Sequence, residues 1–421
     1  MRVLIINTSE RTGGAAIAAN RLMEALRHNG VKASMLVRDK QTSHVSVVAV
    51  KSSWRQPLRF VWERFVIWMN NALRMRNIWQ VDIANTGTDV TQLPEFIHAD
   101  VIHLHWVNQG FLSLADLQRI VESGKPVVVT MHDMWYFTGI CHYSSDCERY
   151  TEHCTRCPLL TFGGVFGDLA SRVFDRKRRI YGVRPLTFVG CSQWMADLAS
   201  RSALAQGHRV LSIPNAIDTE LFAPVDRAEA RRRFHLPADR QLLLFSAQRI
   251  TDERKGFSYL AEACSLLVEA DASVRQRLAV VVVGGDSEKV RSALPLDVFP
   301  ISYVSSQEDM VQLYNAVDVY VTPSLQDNLP NTIVEAMACG VPCVGFHVGG
   351  IPEMIDHETN GFVAEYRNAA SLSECIARAV DASCHEALSA EARRKALSTY
   401  SEKAVAARYT NAYEEAMKPV K

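Results

Sequence analysis

Short apolar runs alternate with amphipathic stretches from one end of the chain to the other. In the first half, β-branched runs at residues 3–7, 33–37, 45–50, 101–105, 127–132, 186–191 and 210–214 read as strands. In the second half the corresponding runs lie at 241–247, 278–284, 301–305, 317–322 and 341–346. Between most of them apolar positions recur at helical spacing, as at 15–29, 114–123, 257–268, 308–316 and 331–339. Continuous apolar strands of about 4–8 residues separated by helices predict parallel sheets covered on both faces. Two successive sets of such units predict an α/β chain of two doubly wound, Rossmann-like domains. The turn chemistry of Pro214-Asn215-Ala216-Ile217-Asp218 marks the expected boundary. It gives domains over 1–218 and 219–395, with a final helix over 396–421 packing back on the first. Ligands of open parallel sheets bind beyond the carboxyl ends of the strands. Chemistry is therefore expected at strand ends, facing a cleft between the two domains.

Charge refines this picture. The 421 residues hold 46 Lys+Arg and 46 Asp+Glu, a balance that argues against a dedicated nucleic-acid binder. Residues 1–200 nevertheless carry 23 basic against 17 acidic side chains, and the remainder 23 against 29. The asymmetry points to an anionic partner for the first half, or simply to two mixed, solvated surfaces. No apolar run approaches the ~20 residues of a membrane-spanning helix. The start, MRVLIINTSE, turns polar too early for a secretory signal, so the expected location is cytoplasmic.

Several strand ends carry side chains with chemistry. Gly13-Gly14 leads into a helix, where amides can approach a ligand closely and the helix N-terminus favours an anion. A plain tight turn is the competing reading. His132 ends the 127–132 strand and is suited to hold a hydroxyl or donate to developing negative charge. Like His103 and His105, it reads equally as an imidazole satisfied within the sheet. Arg249 closes one strand and Lys255 opens the next helix. A guanidinium fork and an ammonium six positions apart can clamp a diphosphate, with loop solvation as the alternative. The most informative stretch runs from Thr322 to Pro342: a strand, a polar loop, then a helix stopped by Gly340. Its Asp327 and Glu335 suit the paired hydroxyls of a ribose or hexose.

With Val348-Gly349-Gly350-Ile351-Pro352-Glu353 and Asn360-Gly361-Phe362 added, nearly the whole chain resembles the nucleotide-sugar-dependent glycosyltransferases of GT-B fold, in the retaining group called family 4. The resemblance implies that Arg249 and Lys255, with Gly14, bind the donor diphosphate and that Glu335 binds the nucleotide ribose. It assigns the donor sugar to Asp327, Asn328, Leu329 and Pro330. The family usually has Glu-Gly where this chain has Asp327-Asn328, so the carboxylate is one methylene shorter. The implied reaction is a same-face attack with retention, the donor phosphate taking the acceptor's proton. His132 and Asp327 would act at the reacting sugar. No catalytic metal is implied, because two cations stand where one would sit. The implied partners are a nucleotide-diphosphate sugar as co-substrate and a lipid-linked or oligosaccharide acceptor. Alternatives are a sugar-nucleotide epimerase or sugar phosphorylase of the same fold, or an inactive, zinc-braced binding module.

Four of the ten cysteines cluster as Cys141-x5-Cys147-x6-Cys154-x2-Cys157, in an expected insert over about 138–160. Four thiols within 17 positions can close a structural zinc tetrahedron. Free thiols or a redox pair are the alternatives. The stretch Thr138-Gly139-Ile140-Cys141 resembles colanic-acid-type glycosyltransferases, which implies bacterial capsule or exopolysaccharide synthesis. Residues 54–79 interleave Trp54, Phe60, Trp62, Phe65, Trp68 and Trp79 with Arg55, Arg59, Arg64, Arg74 and Arg76, and Leu58, Val61, Trp62, Phe65, Met69, Ala72 and Leu73 fit helical spacing. Such a helix reads as a membrane-surface element or as core. A second cluster, Arg172, Arg176, Lys177, Arg178, Arg179 and Arg184, favours a peripheral position on the cytoplasmic face of the inner membrane, with no nucleic acid bound.

Overall fold

The computed structural model describes residues 1–50, 55–304 and 306–418. The chain divides into two compact units: Met1–Ala216 together with Val405–Lys421, and Ile217–Ala404.

In the first unit β1 (Arg2–Ser9), β2 (Lys32–Asp39), β3 (Val47–Ala49), β4 (Val101–Leu104), β5 (Val127–Met131), β6 (Thr187–Gly190) and β7 (Arg209–Ser212) form one sheet, ordered β3-β2-β1-β4-β5-β6-β7. Every neighbouring pair is parallel. Successive side chains of a strand point to opposite faces, and both faces of this sheet are covered. Leu4 and Ile6 join one core cluster, while Val3 and Ile5 join another. This is why β1 is apolar at consecutive positions instead of alternating. The second cluster is completed from far along the chain, by Val405, Ala406, Tyr409, Ala412 and Tyr413 of the helix Glu402–Met417. The buried Tyr413 hydroxyl lies 2.7 Å from His103 Nδ1, and the Tyr409 hydroxyl 2.9 Å from Thr130 Oγ1.

In the second unit β8 (Gln241–Arg249), β9 (Leu278–Gly285), β10 (Asp297–Ile301), β11 (Val319–Thr322), β12 (Cys343–Phe346) and β13 (Gly361–Ala364) form a second parallel sheet, ordered β10-β9-β8-β11-β12-β13. Each unit therefore has a point where strand order reverses, between β1 and β4 and between β8 and β11. The crevice beyond the carboxyl ends at such a point is where this architecture binds ligands.

Four expectations need correction. The strand placed at 301–305 lies instead at Asp297–Ile301, and Ser305 falls outside the described residues. Pro300 disguised it, because proline is tolerated only where a strand edge is open, and β10 is an edge. The short edge strand β13 was not foreseen. The aromatic helix spans Arg55–Asn70 and ends before Ala72 and Leu73, both of positive φ, while Trp54 lies outside the described residues. Two members of the basic clusters point inward. Arg64 is 7% exposed, pairs with Asp82 and donates to the carbonyls of Ile78 and Val81. Lys177 is fully buried, with its ammonium over the Trp135 ring and bonded to the carbonyls of Trp135, Thr138 and Gly139. Among the described residues no helix is long and apolar enough to cross a membrane.

Candidate active site

In the first unit the chain leaves β1 at Ser9, and Gly13 caps the 15-residue helix Gly14–His28 without a side-chain bond. That end presents backbone amides and the positive end of the helix dipole. His132 follows β5 directly. Its Nε2 lies 2.9 Å from His105 Nδ1, and its Nδ1 lies 3.4 Å from Cys191 Sγ. Burial pushes the His132 imidazole down to about 4, with Asp133 pulling the other way, so the ring is neutral at pH 7. Burial likewise lowers His103 to about 3 and His105 well below its ordinary value. A neutral His132 donates or accepts a hydrogen bond but supplies no positive charge.

Beside it stands a polar network that the sequence reading missed. Asp133 accepts from Trp106 Nε1 at 2.9 Å, from the Trp135 amide at 2.9 Å and from His142 Nδ1 at 2.7 Å. His142 Nε2 reaches Asp82 Oδ2 at 2.7 Å, and Asp82 pairs with the buried Arg64. Burial pushes the Asp133 carboxyl up, but His142 and these hydrogen bonds outweigh it and hold it below the usual range. The network fixes the His132–Asp133 turn. Its one signal in the sequence is the carboxylate adjoining His132.

The four cysteines ring a single cavity of about 20 Å³, room for one water-sized occupant. All are free thiols. A shared zinc needs every sulfur about 2.3 Å from one point. Among the described residues no group of three or more His, Cys, Asp or Glu side chains stands at metal-holding spacing. The loop is tied down by the Val81–Cys141 bridge, by the Gly139 amide donating to Cys154 Sγ at 3.2 Å, and by Lys177.

In the second unit the predicted donor residues converge on the reversal between β8 and β11. A bulge between Ser246 and Arg249 ends β8 and re-aims Arg249, which is exposed opposite Gly285. Lys255 closes a short 3-10 turn, and Gly256 follows in the left-handed region at φ 72°. A Cβ there would stand 1.9 Å from the Pro323 carbonyl oxygen, so glycine lets this turn lie against the end of β11. Lys255 Nζ then reaches Asp327 Oδ2 at 2.7 Å, and Asp327 holds the ammonium above its ordinary value. Asp327 itself is cradled by Gly349 at φ 59°, whose Cβ would lie 1.7 Å from the Asp327 carbonyl oxygen. Asn328, Leu329 and Pro330 are buried and lead into the helix Asn331–Ala338, with Pro330 at its cap. Glu335, 7% exposed, accepts from the Tyr314 hydroxyl at 2.8 Å. Arg249, Lys255, Asp327 and the 328–330 loop thus share one edge of one sheet. Gly14 and His132 belong to the corresponding edge of the other unit.

Two family models match the chain: Glycosyltransferase Family 4 over residues 12–221 and Glycosyl transferases group 1 over residues 240–382. The D-inositol 3-phosphate glycosyltransferase of Saccharomonospora viridis is 32% identical over 194 residues, 44% of this chain and 44% of that protein. The protein of the same name from Actinosynnema mirum is 30% identical over 292 residues, 67% and 64% of the two chains. The match thus spans about 44% of the first relative's length, and both names differ from the colanic-acid type of the expectation. Among solved structures, a sucrose-phosphate synthase from Thermosynechococcus elongatus aligns over 98% of both chains at 18% identity and TM-score 0.67. The Anabaena protein HepE, solved in complex with UDP-glucose, aligns over 99% of this chain and 100% of its own, at 16% identity and TM-score 0.62. At these identities the likeness carries the fold, GT-B with two parallel-sheet Rossmann-like domains. Together the two family matches take in most of the chain: a glycosyltransferase family 4 domain is followed by a glycosyl transferases group 1 domain.

Proposed function

We propose that the protein moves a sugar from a nucleoside diphosphate sugar to a lipid-linked glycan acceptor, with retention of anomeric configuration, in bacterial surface polysaccharide synthesis at the cytoplasmic membrane face. The observation that carries the donor half is the Lys255–Asp327 ion pair at the carboxyl edge of the second sheet. A diphosphate offers Lys255 two anionic oxygens in place of one carboxylate, and Arg249 adds a planar fork. When Lys255 turns to phosphate, Asp327 is released to accept from sugar hydroxyls. Glu335, its other oxygen already bonded to Tyr314, accepts from the ribose. As the glycosidic bond breaks, negative charge grows on the leaving diphosphate, where both cations lower its energy. His132, neutral, bonds a sugar hydroxyl, and the departing phosphate takes the acceptor's proton.

HepE binds UDP-glucose, so that is the first donor to test. A nucleotide at 100 times its dissociation constant stabilises by about 2.7 kcal/mol. UDP or UDP-glucose should therefore raise the melting temperature, and Lys255→Ala or Arg249→Ala should remove the shift. A panel of nucleotides and nucleotide sugars that leaves the melt unmoved sinks the proposal, and turnover of the donor without acceptor would favour an epimerase. The relatives' name favours a second acceptor, D-inositol 3-phosphate. Transfer of labelled sugar to that compound but not to a membrane lipid extract would select it.

A further inference from the structure

The first unit has an open cavity of about 500 Å³ away from the strand ends. Phe65 and Met69 of the helix Arg55–Asn70, Ile83, Leu114, Phe166 and Val173 form its walls. The volume falls in the range of ordinary ligand pockets, which span about 300–1,000 Å³. Apolar surface continues at its edge: Trp62, stacked on Phe65, and Val165, whose amide donates to Asn70, are about half exposed, as is Phe166 itself. Contiguous exposed apolar surface of this kind marks a contact with something apolar. Two guanidiniums also line the cavity, Arg172 and Arg176. Arg172 is held by the Phe166 carbonyl at 3.0 Å. Arg176 is half-buried and makes no hydrogen bond or ion pair with any described residue. A half-buried cation without a counter-charge on an apolar wall is costly unless an anion arrives with the apolar group.

We propose that this cavity binds the hydrocarbon chain of a phosphate-bearing lipid, with Arg176 and Arg172 on the phosphate. The charge complements the phosphate, and the walls complement the chain. The proposal rests on the reading of a lipid-linked acceptor and gives that acceptor's apolar end a place outside the sugar chemistry. It also explains why Val61, Trp62 and Phe65 stay on the surface while Ile67 of the same helix is buried.

The test is titration of the full chain with farnesyl phosphate, farnesol and inorganic phosphate by calorimetry, with no nucleotide present. Farnesyl phosphate should bind with micromolar affinity and farnesol about tenfold more weakly, while inorganic phosphate alone should neither bind nor compete. Arg176→Glu should weaken farnesyl phosphate about tenfold or more and leave farnesol unchanged, whereas Phe166→Asp should weaken both. Binding unaffected by either variant overturns the proposal. Competition by inorganic phosphate at equal affinity also overturns it, reducing the site to a phosphate site. Both variants should keep the nucleotide-induced melting shift. If lipid binding behaves as stated while no nucleotide shifts the melt, the transferase reading fails and the lipid site stands.

Discussion

Lowering the pH from 7 to 5 is expected to destabilise the first unit by at least about 4 kcal/mol, about 2 from each of the buried His103 and His132, with the buried His105 adding in the same direction. His103 lies within the sheet, with Nδ1 2.7 Å from the Tyr413 hydroxyl and Nε2 2.7 Å from Thr130 Oγ1. Burial lowers it from 6.5 to about 3, and lowers His132 to about 4. Both folded values are below the unfolded one. As pH falls through 6.5 the unfolded chain takes up protons that the folded unit refuses until about 4. Stability from these groups is thus intact above 6.5, drains away below it, and levels off near the folded values. At pH 5 each protonated imidazole favours the unfolded chain by about 2 kcal/mol. The sum is a large share of the roughly 5–15 kcal/mol that typically holds a domain together. Urea titrations followed by tryptophan fluorescence at the two pH values measure it. His103→Gln keeps a polar group but cannot titrate, so it should shrink the difference between pH 7 and pH 5 by about 2 kcal/mol whatever its absolute stability. The reasoning is refuted if the wild-type loss stays under about 1 kcal/mol, or if the variant loses as much as the wild type.

Gly349→Ala sets a Cβ 1.7 Å from the Asp327 carbonyl oxygen at φ 59°, so it should cost at least about 2 kcal/mol and displace Asp327. Melting temperature and donor affinity should fall together, and a variant that matches the wild type in both disproves the close approach. Burial pushes the Cys154 thiol up to about 11 and raises Cys141 and Cys157 as well. Timed alkylation with iodoacetamide at pH 7.5, read by mass spectrometry, should label these three more than about tenfold slower than a free thiol, since the thiolate is the nucleophile. Labelling left unchanged by chelator would mark them as free thiols; acceleration by chelator would mark a bound zinc.

The architecture was legible because parallel strands covered on both faces must be continuously apolar, and β1, β5, β8 and β9 are. Pro300 hid β10, since edge position is a property of the sheet and leaves no mark on the residue. That Arg249, Lys255 and Asp327 meet at one sheet edge was legible because they sit in two short segments, each bound to a strand end. What stayed hidden was pairing across long separations. Lys255 and Asp327 were assigned separate ligands, and nothing in their spacing announces that they hold each other first. The Asp82–His142–Asp133 chain brings together positions up to sixty residues apart, and Tyr314 reaches Glu335 from the preceding helix. Arg64 and Lys177 read as surface because charge ordinarily stays in water. Their burial depends on carbonyls that only the folded loops supply.

The terminal helix has a consequence for the order in which the chain can be made and folded. Tyr409 and Tyr413 complete a cluster whose other members include Val3, Ile5 and Val37, yet the whole of Ile217–Ala404 is synthesised in between. At about 5–20 residues per second that interval lasts on the order of ten seconds or more. During it, the part of the first sheet around His103 and Thr130 lacks its cover, and His103 waits without its tyrosine. The continuous second unit has every segment it needs before that, so the half that emerges last from the ribosome can be the first to finish. A nascent chain stopped at residue 404 should therefore recruit chaperones through the uncovered patch around His103 and Thr130, and one extended past Tyr413 should release them.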